Sequence, residues 1–484
     1  MIVEFSIANT FSIKDEQTVS FEAVGSCKAT ADDASVLSDA AVQDDSLSLT
    51  APARLGSHCV RVGSKTLLKL ACIYGANASG KTNILTALRF YVRFAVDSFT
   101  NLKPSEPTHF VPFRFDEQTA RDPGFFNLVF YMKDAAGRDV LYTYELLLCA
   151  THVVKEKLSY TVEGGRQEPA GAAASGLSTA ASSRTPAVPR AKLVFERLGD
   201  GGVKWGSGIT GAKKLIADMT RPNCTVLSTG AQAQHPLFSA LYDFFNHRFG
   251  GLTAPGALPL GREGKLSHFT LQRIEDDASY KEKVIGMFNA SDIAPISDIR
   301  IETQEVSDAL LEQLPPEMQD ALSLYPERAK TRRALFVHKY DGHEYELPVG
   351  LESAGTLRML ELIAPLSDVI KSHAFVLVDE LELSLHEELV ETFLRLFLEA
   401  SEDSQLLFTT HNQDLLDTGL LRDDEIWFCY KTENGNSVYN AITDYAGITA
   451  GISRKKLYQA GKFGALPLVD VSALMELFSA KKDR

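Results

Sequence analysis

The sequence predicts an α/β protein with a mixed sheet around a glycine-rich loop, an antiparallel β subdomain and a mainly helical insertion. Three observations support this fold class. The apolar run LLKLACIY ends at Gly75 and is followed by apolar residues at helical spacing. Runs such as FFNLVFYM and VLYTYELLL indicate neighbouring antiparallel strands. From RRALFVHKY to about residue 445, helices and strands alternate, as in a βα-layered parallel sheet.

Composition limits the class of protein. The 484 residues are 45% hydrophobic and 23% charged, as in ordinary soluble globular proteins. The net charge of -14 provides no general attraction to nucleic acid or anionic membranes. No apolar run is long enough to span a bilayer and no cleavable leader is evident, so we expect a cytoplasmic protein with no membrane partner. The six cysteines are scattered, so we expect reduced thiols and no zinc site.

The pattern along the chain suggests four regions. Residues 1–160 form an N-terminal lobe that begins with two antiparallel strands and contains a loop at 28–57. Small residues and prolines predict a disordered loop at 161–190. Residues 191–345 are predicted to be a mainly helical insertion with return strands. No heptad pattern is sustained there, which argues against a long coiled-coil arm. Residues 346–484 form a C-terminal lobe with a partly basic tail.

The stretch GANASGKT fits the pattern GxxxxGK[ST]. Its glycines let the backbone approach a phosphate closely, and N–H groups at the helix start bind phosphate oxygens. Lys81 supplies a positive charge for the β and γ phosphates, and Thr82 supplies a hydroxyl ligand for Mg²⁺. A plain loop is the alternative, but the strand before it and the helix after it favour a phosphate-binding P-loop. The predicted nucleotide-binding residues here are Gly75, Asn77, Ala78, Ser79, Gly80, Lys81, Thr82 and Asn83.

Polar residues also follow two apolar strands in the C-terminal lobe. FVLV ends in Asp379 and Glu380, and QLLFTT ends in His411. Ligands gather where the strands of open α/β sheets end, so we expect these side chains to meet. Asp379 is the predicted Mg²⁺ ligand, Glu380 is predicted to activate the attacking water, and His411 is expected near the γ-phosphate or that water. Taken alone, each motif also fits a buried strand capped by solvated acids or a structural histidine.

A third candidate lies at the start of an apolar helix. In LESAGTLRMLELIAPL, the residues Ser353, Gly355 and Thr356 stand where a helix N-terminus can bind an anion. The alternative is an ordinary capped helix. Ser353 and Gly355 are therefore candidates for a second set of nucleotide-binding residues.

In this order and spacing, the motifs resemble those of ABC-type ATPases of the SMC-head and overcoming-lysogenization-defect (OLD) class. The chain is most similar to compact bacterial ATPases of abortive-infection and restriction-linked anti-phage operons, of the RloA-like and AriA-like kind, through segments such as IYGANASGKTNIL, LPVGLESAGTLRML, VLVDELELSLH and QLLFTTHNQDLLD. The resemblance implies an ABC-type ATPase head that binds ATP and Mg²⁺ and hydrolyses ATP. It identifies Walker A at Gly75–Thr82, the Walker B carboxylate at Asp379, catalytic roles for Lys81, Glu380 and His411, metal ligation by Thr82 and Asp379, and the signature segment at Glu352–Thr356.

The same resemblance implies partners and a biological role. Two heads would sandwich ATP in a homodimer or higher homo-oligomer, with the signature segment of one head completing the site of the other. A separate effector, a nuclease or toxin, would be controlled by this ATP-dependent sensor or scaffold in anti-phage defence. The alternative is an SMC-like DNA-repair or chromosome-maintenance ATPase, for which DNA is the partner; a transporter subunit is disfavoured by the large insertion. Ala354 departs from the usual signature, and no Q-loop glutamine is evident.

Overall fold

The structure is a computed structural model that describes residues 1–24, 58–162, 191–199, 202–249, 268–291, 295–305, 330–371, 373–449, 451–466, 470–472 and 474–475. The predicted loop at 28–57 and nearly all of the predicted disordered loop at 161–190 lie outside these ranges.

The strands and helices are numbered in chain order. The described strands are β1 (Ile2–Ala8), β2 (Gln17–Ser20), β3 (Cys59–Val62), β4 (Lys65–Leu68), β5 (Leu70–Gly75), β6 (Gly124–Lys133), β7 (Asp139–Leu148), β8 (Val153–Val162), β9 (Lys192–Leu198), β10 (Val203–Trp205), β11 (Ile296–Glu305), β12 (Lys330–Tyr340), β13 (His343–Pro348), β14 (Phe375–Val378), β15 (Gln405–Thr410), β16 (Ile426–Lys431) and β17 (Ser437–Ala441). The described helices are α1 (Lys81–Asn101), α2 (Lys213–Met219), α3 (Val226–Gln232), α4 (Pro236–Arg248), α5 (His268–Asp276), α6 (Ala278–Ala290), α7 (Ala354–Lys371), α8 (Glu387–Ala400) and α9 (Arg454–Gln459).

The largest described sheet is antiparallel, with the strand order β10-β9-β8-β7-β6-β1-β2. Successive side chains of a strand point to opposite faces, so a strand with one buried face alternates buried and partly exposed residues. In β7 the buried set is Val140, Tyr142, Tyr144, Leu146 and Leu148. This sheet confirms the predicted antiparallel β subdomain and the pairing of the first two strands.

Helices α1 to α4 share one apolar core with this sheet. Tyr91 of α1 lies against Phe126 of β6, and Phe245 of α4 lies against Phe130 of the same strand. The helices of residues 213–248 thus pack with strands of the N-terminal lobe. The domain boundaries given above stay a prediction.

The second large sheet is mixed, with the order β14-β15-β5-β16-β17. Strands β14, β15, β5 and β16 are parallel, and β17 is antiparallel to β16. Alternate residues of β5 belong to different cores: Ile73 packs in the core that includes α1, whereas Cys72 packs in the core that includes α8. Parallel sheets covered on both faces have such continuous apolar strands. The predicted mixed sheet is confirmed, and the carboxyl ends of β5, β14 and β15 lie side by side.

A smaller antiparallel sheet, β11-β12-β13, packs against α5, α6 and α7. Its core includes Phe288 of α6, Phe336 of β12 and Met359 of α7. The strands predicted from RRALFVHKY and HEYELPVG are confirmed as β12 and β13. Because α7 packs between this sheet and α8, it connects the small sheet to the mixed sheet.

One buried side chain joins the two large sheets. The amide of Gln405, at the start of β15, accepts a hydrogen bond from Ile2 N–H (2.7 Å) and donates to Ile2 O (2.9 Å) and Leu68 O (3.1 Å). The side chain therefore pairs with β1 as another peptide group would. It is fully buried, so water cannot replace these bonds.

The structure bears on two expectations from composition, the state of the cysteines and the presence of membrane-spanning helices. Among the described residues, the free cysteines are Cys72, Cys149, Cys224 and Cys429. The expectation of reduced thiols is wrong for Cys59, which is disulfide-bonded; the six scattered cysteines contain no CxxC pair or other local spacing signal for it. Within the described part of the chain, no helix has the length and apolar character needed to cross a bilayer.

Replacing Gln405 tests the connection between the sheets. We expect Gln405→Leu to lower the free energy of unfolding by about 3 kcal/mol, because it leaves buried backbone groups without partners. Urea denaturation followed by tryptophan fluorescence measures this change. Gln459→Leu is the matched control, since Gln459 is exposed and bonds Gln413 at the surface; its effect should stay within about 0.5 kcal/mol. Equal effects of the two substitutions would contradict this account of Gln405.

Candidate functional site

The glycine-rich loop connects β5 to α1 at the carboxyl edge of the mixed sheet. Two of its residues have left-handed backbone angles, Ala78 at φ 64° and Gly80 at φ 116°. A Cβ atom at Gly80 would lie 2.2 Å from Ser437 Oγ, so this position excludes side chains for two separate reasons. At Gly75, a Cβ atom would lie 2.4 Å from Cys429 O. Both glycines thus permit a close approach of the loop to β16 and β17.

Lys81 is buried at the start of α1 and points back into the loop. Its Nζ donates to Gly75 O (2.9 Å) and Ala76 O (3.1 Å) and lies 3.0 Å from His411 Nε2. An ammonium group has three N–H donors, and these three partners account for all of them. The pKa of Lys81 is lowered because the side chain is buried, and the surrounding carboxylates offset part of this effect. The cation is therefore held in place beside the loop backbone.

His411 follows β15 and approaches the loop from the neighbouring strand. Because Nε2 faces the ammonium group of Lys81, this nitrogen accepts the hydrogen bond and the imidazole is neutral. Burial, and then the positive charge of Lys81, lower the pKa of His411 below its ordinary value of 6.5. The backbone N–H of His411 donates to Glu382 Oε1, which joins the two strand ends.

Asp379 occupies the end of β14 and faces the first turn of α1. Its Oδ2 accepts a hydrogen bond from Thr82 Oγ1 at 2.9 Å, and its Oδ1 accepts one from Thr409 Oγ1 at 2.6 Å. Thr409 Oγ1 also accepts from the N–H of Glu380 at 2.8 Å. Asp379 is buried, whereas Glu380 is partly exposed and has a left-handed φ of 50°. The strand ends thus bring together Thr82, Asp379 and Glu380, as the sequence predicts.

The other predicted loop residues have different environments. Asn77 and Ala78 are exposed at the tip of the loop. Ser79 Oγ is buried and has no hydrogen-bond partner among the described residues. Asn83 Nδ2 donates to Ser12 Oγ at 2.5 Å. The exposed tip and the unpartnered hydroxyl are compatible with a bound phosphate, whereas the Asn83 side chain already has a protein partner.

The signature segment has its own contacts at the start of α7. Ser353 Oγ accepts a hydrogen bond from the Thr356 N–H at 3.0 Å, which caps the start of α7. Gly355 packs close to the loop after β14, since a Cβ atom there would lie 3.1 Å from Ser384 O. Within the described ranges, no hydrogen bond joins Ser353 or Gly355 to Gly75–Thr82. These two predicted groups are therefore not hydrogen-bonded to each other within the described part of one chain.

Several residues that the sequence reasoning missed also contact the site. Ser437 Oγ donates to Ser79 O (2.5 Å), and Tyr439 OH donates to Gly80 O (2.7 Å). Both lie on β17, and Ser12 extends the cluster through a 2.7 Å bond with Ser437. Nothing in their local sequence indicates this role. Arg358 and Glu382 did carry a signal, since each is a charged residue in an apolar setting next to a motif.

A known protein family matches more than half of this chain. A family described as "AAA domain, putative AbiEii toxin, Type IV TA system" matches residues 70–142 and 238–417, just over half of the chain. The chain belongs to this AAA family. The first range includes the P-loop and α1, and the second includes Ser353, Asp379, Glu380 and His411. AAA domains of this kind are typically ATPases that bind nucleotide with Mg²⁺.

Among solved structures, SMC heads are similar to this AAA protein over most of its length. An SMC head bound to the C-winged helix domain of ScpA shares 12% identity and a TM-score of 0.37, covering 92% of this chain and 99% of its own. An SMC head from Thermotoga maritima shares 13% identity and a TM-score of 0.32, covering 91% and 98%. A third, from Pyrococcus furiosus and bound to the C-terminal domain of ScpA, shares 11% identity and a TM-score of 0.32, covering 95% and 98%. These scores do not decide the fold, which rests on the strand order. No curated protein matches the chain.

The site chemistry of this AAA domain fits Mg²⁺ with a nucleotide phosphate. The Thr82 hydroxyl and the Asp379 carboxylate are hard oxygen ligands that already lie within hydrogen-bond distance of one another. Within the described ranges, no cluster of three or more His, Cys, Asp or Glu side chains could hold a metal alone. Mg²⁺ characteristically binds one or two protein oxygens together with phosphates and waters. Thr82 and Asp379 are therefore suited to hold Mg²⁺ together with a nucleotide phosphate.

The position of His411 predicts how acid affects stability. Its folded pKa is lowered, so the unfolded chain binds the proton more readily and the stabilising contribution, present above pH 6.5, is lost as the pH falls toward the folded value. We expect His411→Gln, which cannot bind this proton, to lose less thermal stability than the wild type between about pH 7.5 and about pH 5.5. Calorimetry at both pH values measures the difference. His343→Gln, at an exposed position on β13, should follow the wild type; a similar reduction in that control would contradict the assignment.

Proposed function

We propose that this protein binds and hydrolyses ATP and that two copies together form the complete nucleotide sites. The carrying observation is the meeting of Lys81, Thr82, Asp379 and His411 at one edge of the mixed sheet. The signature segment of the same chain makes no hydrogen bond to that loop within the described ranges. A second copy can supply the missing segment, which supports an ATP-dependent head-to-tail dimer or higher oligomer.

The residues have distinct tasks in this mechanism. N–H groups of the loop and the start of α1 bind phosphate oxygens. The ammonium group of Lys81 exchanges its bonds to Gly75 O and Ala76 O for bonds to phosphate, and its burial strengthens that attraction. Thr82 and Asp379 would hold Mg²⁺, which supplies charge neutralisation to the phosphates when bound. Asp379 is fixed from the other side by Thr409, so its carboxylate is oriented before substrate arrives.

Glu380 and His411 serve the attacking water. Glu380 is partly exposed and next to Asp379, and its carboxylate accepts the proton that the water loses. His411 is neutral and its ring contacts the ammonium group of Lys81, so a side chain with a hydrogen-bonding ring nitrogen is available beside the phosphates. Glu382 holds the backbone of His411 next to the loop after β14, because its carboxylate accepts a hydrogen bond from the His411 N–H.

Two substitutions separate binding from hydrolysis. We expect Lys81→Ala to lose ATP binding, because the buried cation is removed, and Glu380→Gln to bind ATP but hydrolyse it about 10²–10⁴-fold more slowly. Glu380→Gln should also form a stable dimer with ATP and Mg²⁺, measured by sedimentation velocity. Glu388→Gln, an exposed glutamate in the first turn of α8, is the control and should keep normal turnover. A Glu380→Gln protein that binds ATP but stays monomeric would contradict the shared site.

The proposed role is to control a separate effector in anti-phage defence. The description of the matched family names a toxin and a toxin–antitoxin system, and this supports a defence function. ATP-dependent association would provide the switch: an effector that binds the dimer is held or released as ATP is hydrolysed. The net charge of -14 favours a protein partner over DNA as the main ligand.

Purification from the native host tests this role. We expect tagged Glu380→Gln protein, kept in ATP and Mg²⁺, to copurify with a nuclease or toxin at fixed stoichiometry, because the trapped dimer holds its partner. Mass spectrometry and sequencing identify the bound protein and nucleic acid. Lys81→Ala, purified in parallel, should retain much less of the same protein. DNA without a protein effector would contradict the proposal and favour the SMC-like role in DNA repair or chromosome maintenance.

A further inference from the structure

A buried arginine links the signature helix to the predicted catalytic carboxylates of the same chain. Arg358 lies one turn into α7 and is only 3% exposed. One terminal nitrogen of its guanidinium donates to Asp379 O at 3.0 Å and to Glu380 O at 2.8 Å. These two carbonyls belong to consecutive residues, so the arginine holds the backbone at the end of β14 from the side of α7.

The backbone that Arg358 holds has an unusual conformation. Glu380 has a φ of 50°, a left-handed value that a non-glycine residue adopts at a cost unless its surroundings impose it. Thr409 binds the N–H of Glu380 from β15, while Arg358 binds its carbonyl from α7. The direction of the Glu380 side chain therefore depends on two contacts, and one of them belongs to the signature helix.

Arg358 also forms an ion pair within α7. Its second terminal nitrogen lies 3.4 Å from Glu361 Oε2, one turn further along α7. Its Nε is buried and has no hydrogen-bond partner within the described part of the chain. The shortest bonds of this buried guanidinium are thus those to the Asp379 and Glu380 carbonyls. Any shift of α7 must either carry these carbonyls along or leave buried polar groups unpaired.

The start of α7 also contacts the loop that follows β14. Gly355 packs against Ser384 O, and Glu352 is joined to His338 of β12 by a 2.7 Å contact between buried side chains. The signature segment thus contacts the small sheet through Glu352 and the loop after β14 through Gly355. A contact made by this segment can reach Glu380 through a single side chain.

We propose that Arg358 is a positioning residue that makes hydrolysis in one head depend on engagement of the signature segment of that same head. The proposal rests on the shared nucleotide site proposed above. It adds that engagement of the signature segment of one head controls the catalytic base of that same head. When ATP held by the second copy contacts Ser353 and Gly355, α7 is fixed, and Arg358 then fixes the backbone of Glu380. A head whose signature segment is not engaged binds ATP but orients its base poorly.

The first test compares three arginine variants. We expect Arg358→Met to lower kcat about 100-fold, because small displacements of catalytic groups have effects of that size, with KM changed by less than about 3-fold. Arg358→Lys, which keeps the charge and fewer donors, should recover part of kcat. Arg395→Met is the control, since Arg395 is partly exposed on α8 and pairs with Glu391 on the same helix. An unchanged kcat in Arg358→Met, or a loss of ATP binding that explains the whole defect, would overturn the proposal.

A mixed dimer tests the direction of coupling. In a dimer of one Lys81→Ala chain and one intact chain, the intact chain binds ATP, but its own signature segment faces an empty loop. We expect the intact site to turn over about 5- to 150-fold more slowly than a site of the wild-type dimer, the usual range for coupled sites. The same rate per site in both dimers would overturn the coupling.

A control separates this proposal from the one on which it rests. The double variant Glu380→Gln, Arg358→Met should dimerise with ATP as Glu380→Gln does, because Arg358 acts on the base and not on ATP binding. If Glu380→Gln alone stays monomeric, the shared site fails and this proposal fails with it. If both variants dimerise and Arg358→Met hydrolyses ATP at the wild-type rate, only the role of Arg358 is overturned.

Discussion

The hydrogen bond between Thr82 and Asp379 is the interaction on which the rest of the site depends. It joins the first turn of α1 to the end of β14, residues that are 297 positions apart in the chain. Strand β15 lies between β5 and β14, and its Thr409 binds Asp379 from the opposite side. Three parallel strands thus end in one chain of polar contacts. This arrangement is available because parallel strands all present their carboxyl ends at the same edge of a sheet.

One buried cation lies among three carboxylates at this edge. Lys81 donates hydrogen bonds to backbone carbonyls and lies near Asp379, Glu380 and Glu382, and His411 stays neutral beside it. Behind the loop, hydroxyl groups of Ser12, Ser437 and Tyr439 hold the backbone of Ser79 and Gly80. The loop is thus fixed by both the N-terminal and C-terminal parts of the chain. A preorganised loop loses less conformational entropy when a phosphate binds.

The sequence predicts the local parts of this site well and its long-range contacts poorly. GxxxxGK[ST] and the acid-ended strand are short patterns, and strand-to-helix order alone brings Thr82 close to Asp379. The contacts of Ser437 and Tyr439 depend on how distant elements pack, and no period or spacing encodes that. Arg358 stands out as a charged residue in an apolar helix, but the sequence does not reveal its partners. Lys69 is a similar case: it lies before β5 but binds Leu398 O (3.2 Å) and Ser401 O (2.6 Å) at the end of α8. Helix α8 has no basic residue in its own last turn, so its C-terminal cap comes from elsewhere.

The central position of β5 has a consequence for how the protein folds. This strand is made early in synthesis, yet both of its neighbours in the sheet, β15 and β16, come from the C-terminal part of the chain. Loop closure over such distances is slow, and proteins dominated by non-local pairing fold slowly. The antiparallel β subdomain can form while the ribosome is still translating, but the nucleotide-binding edge cannot close until Lys431 has emerged. Until then, both edges of β5 lack their partner strands and the face that carries Cys72 lacks the cover of α8, so this is the interval in which the nascent chain is most open to aggregation or to capture by a chaperone.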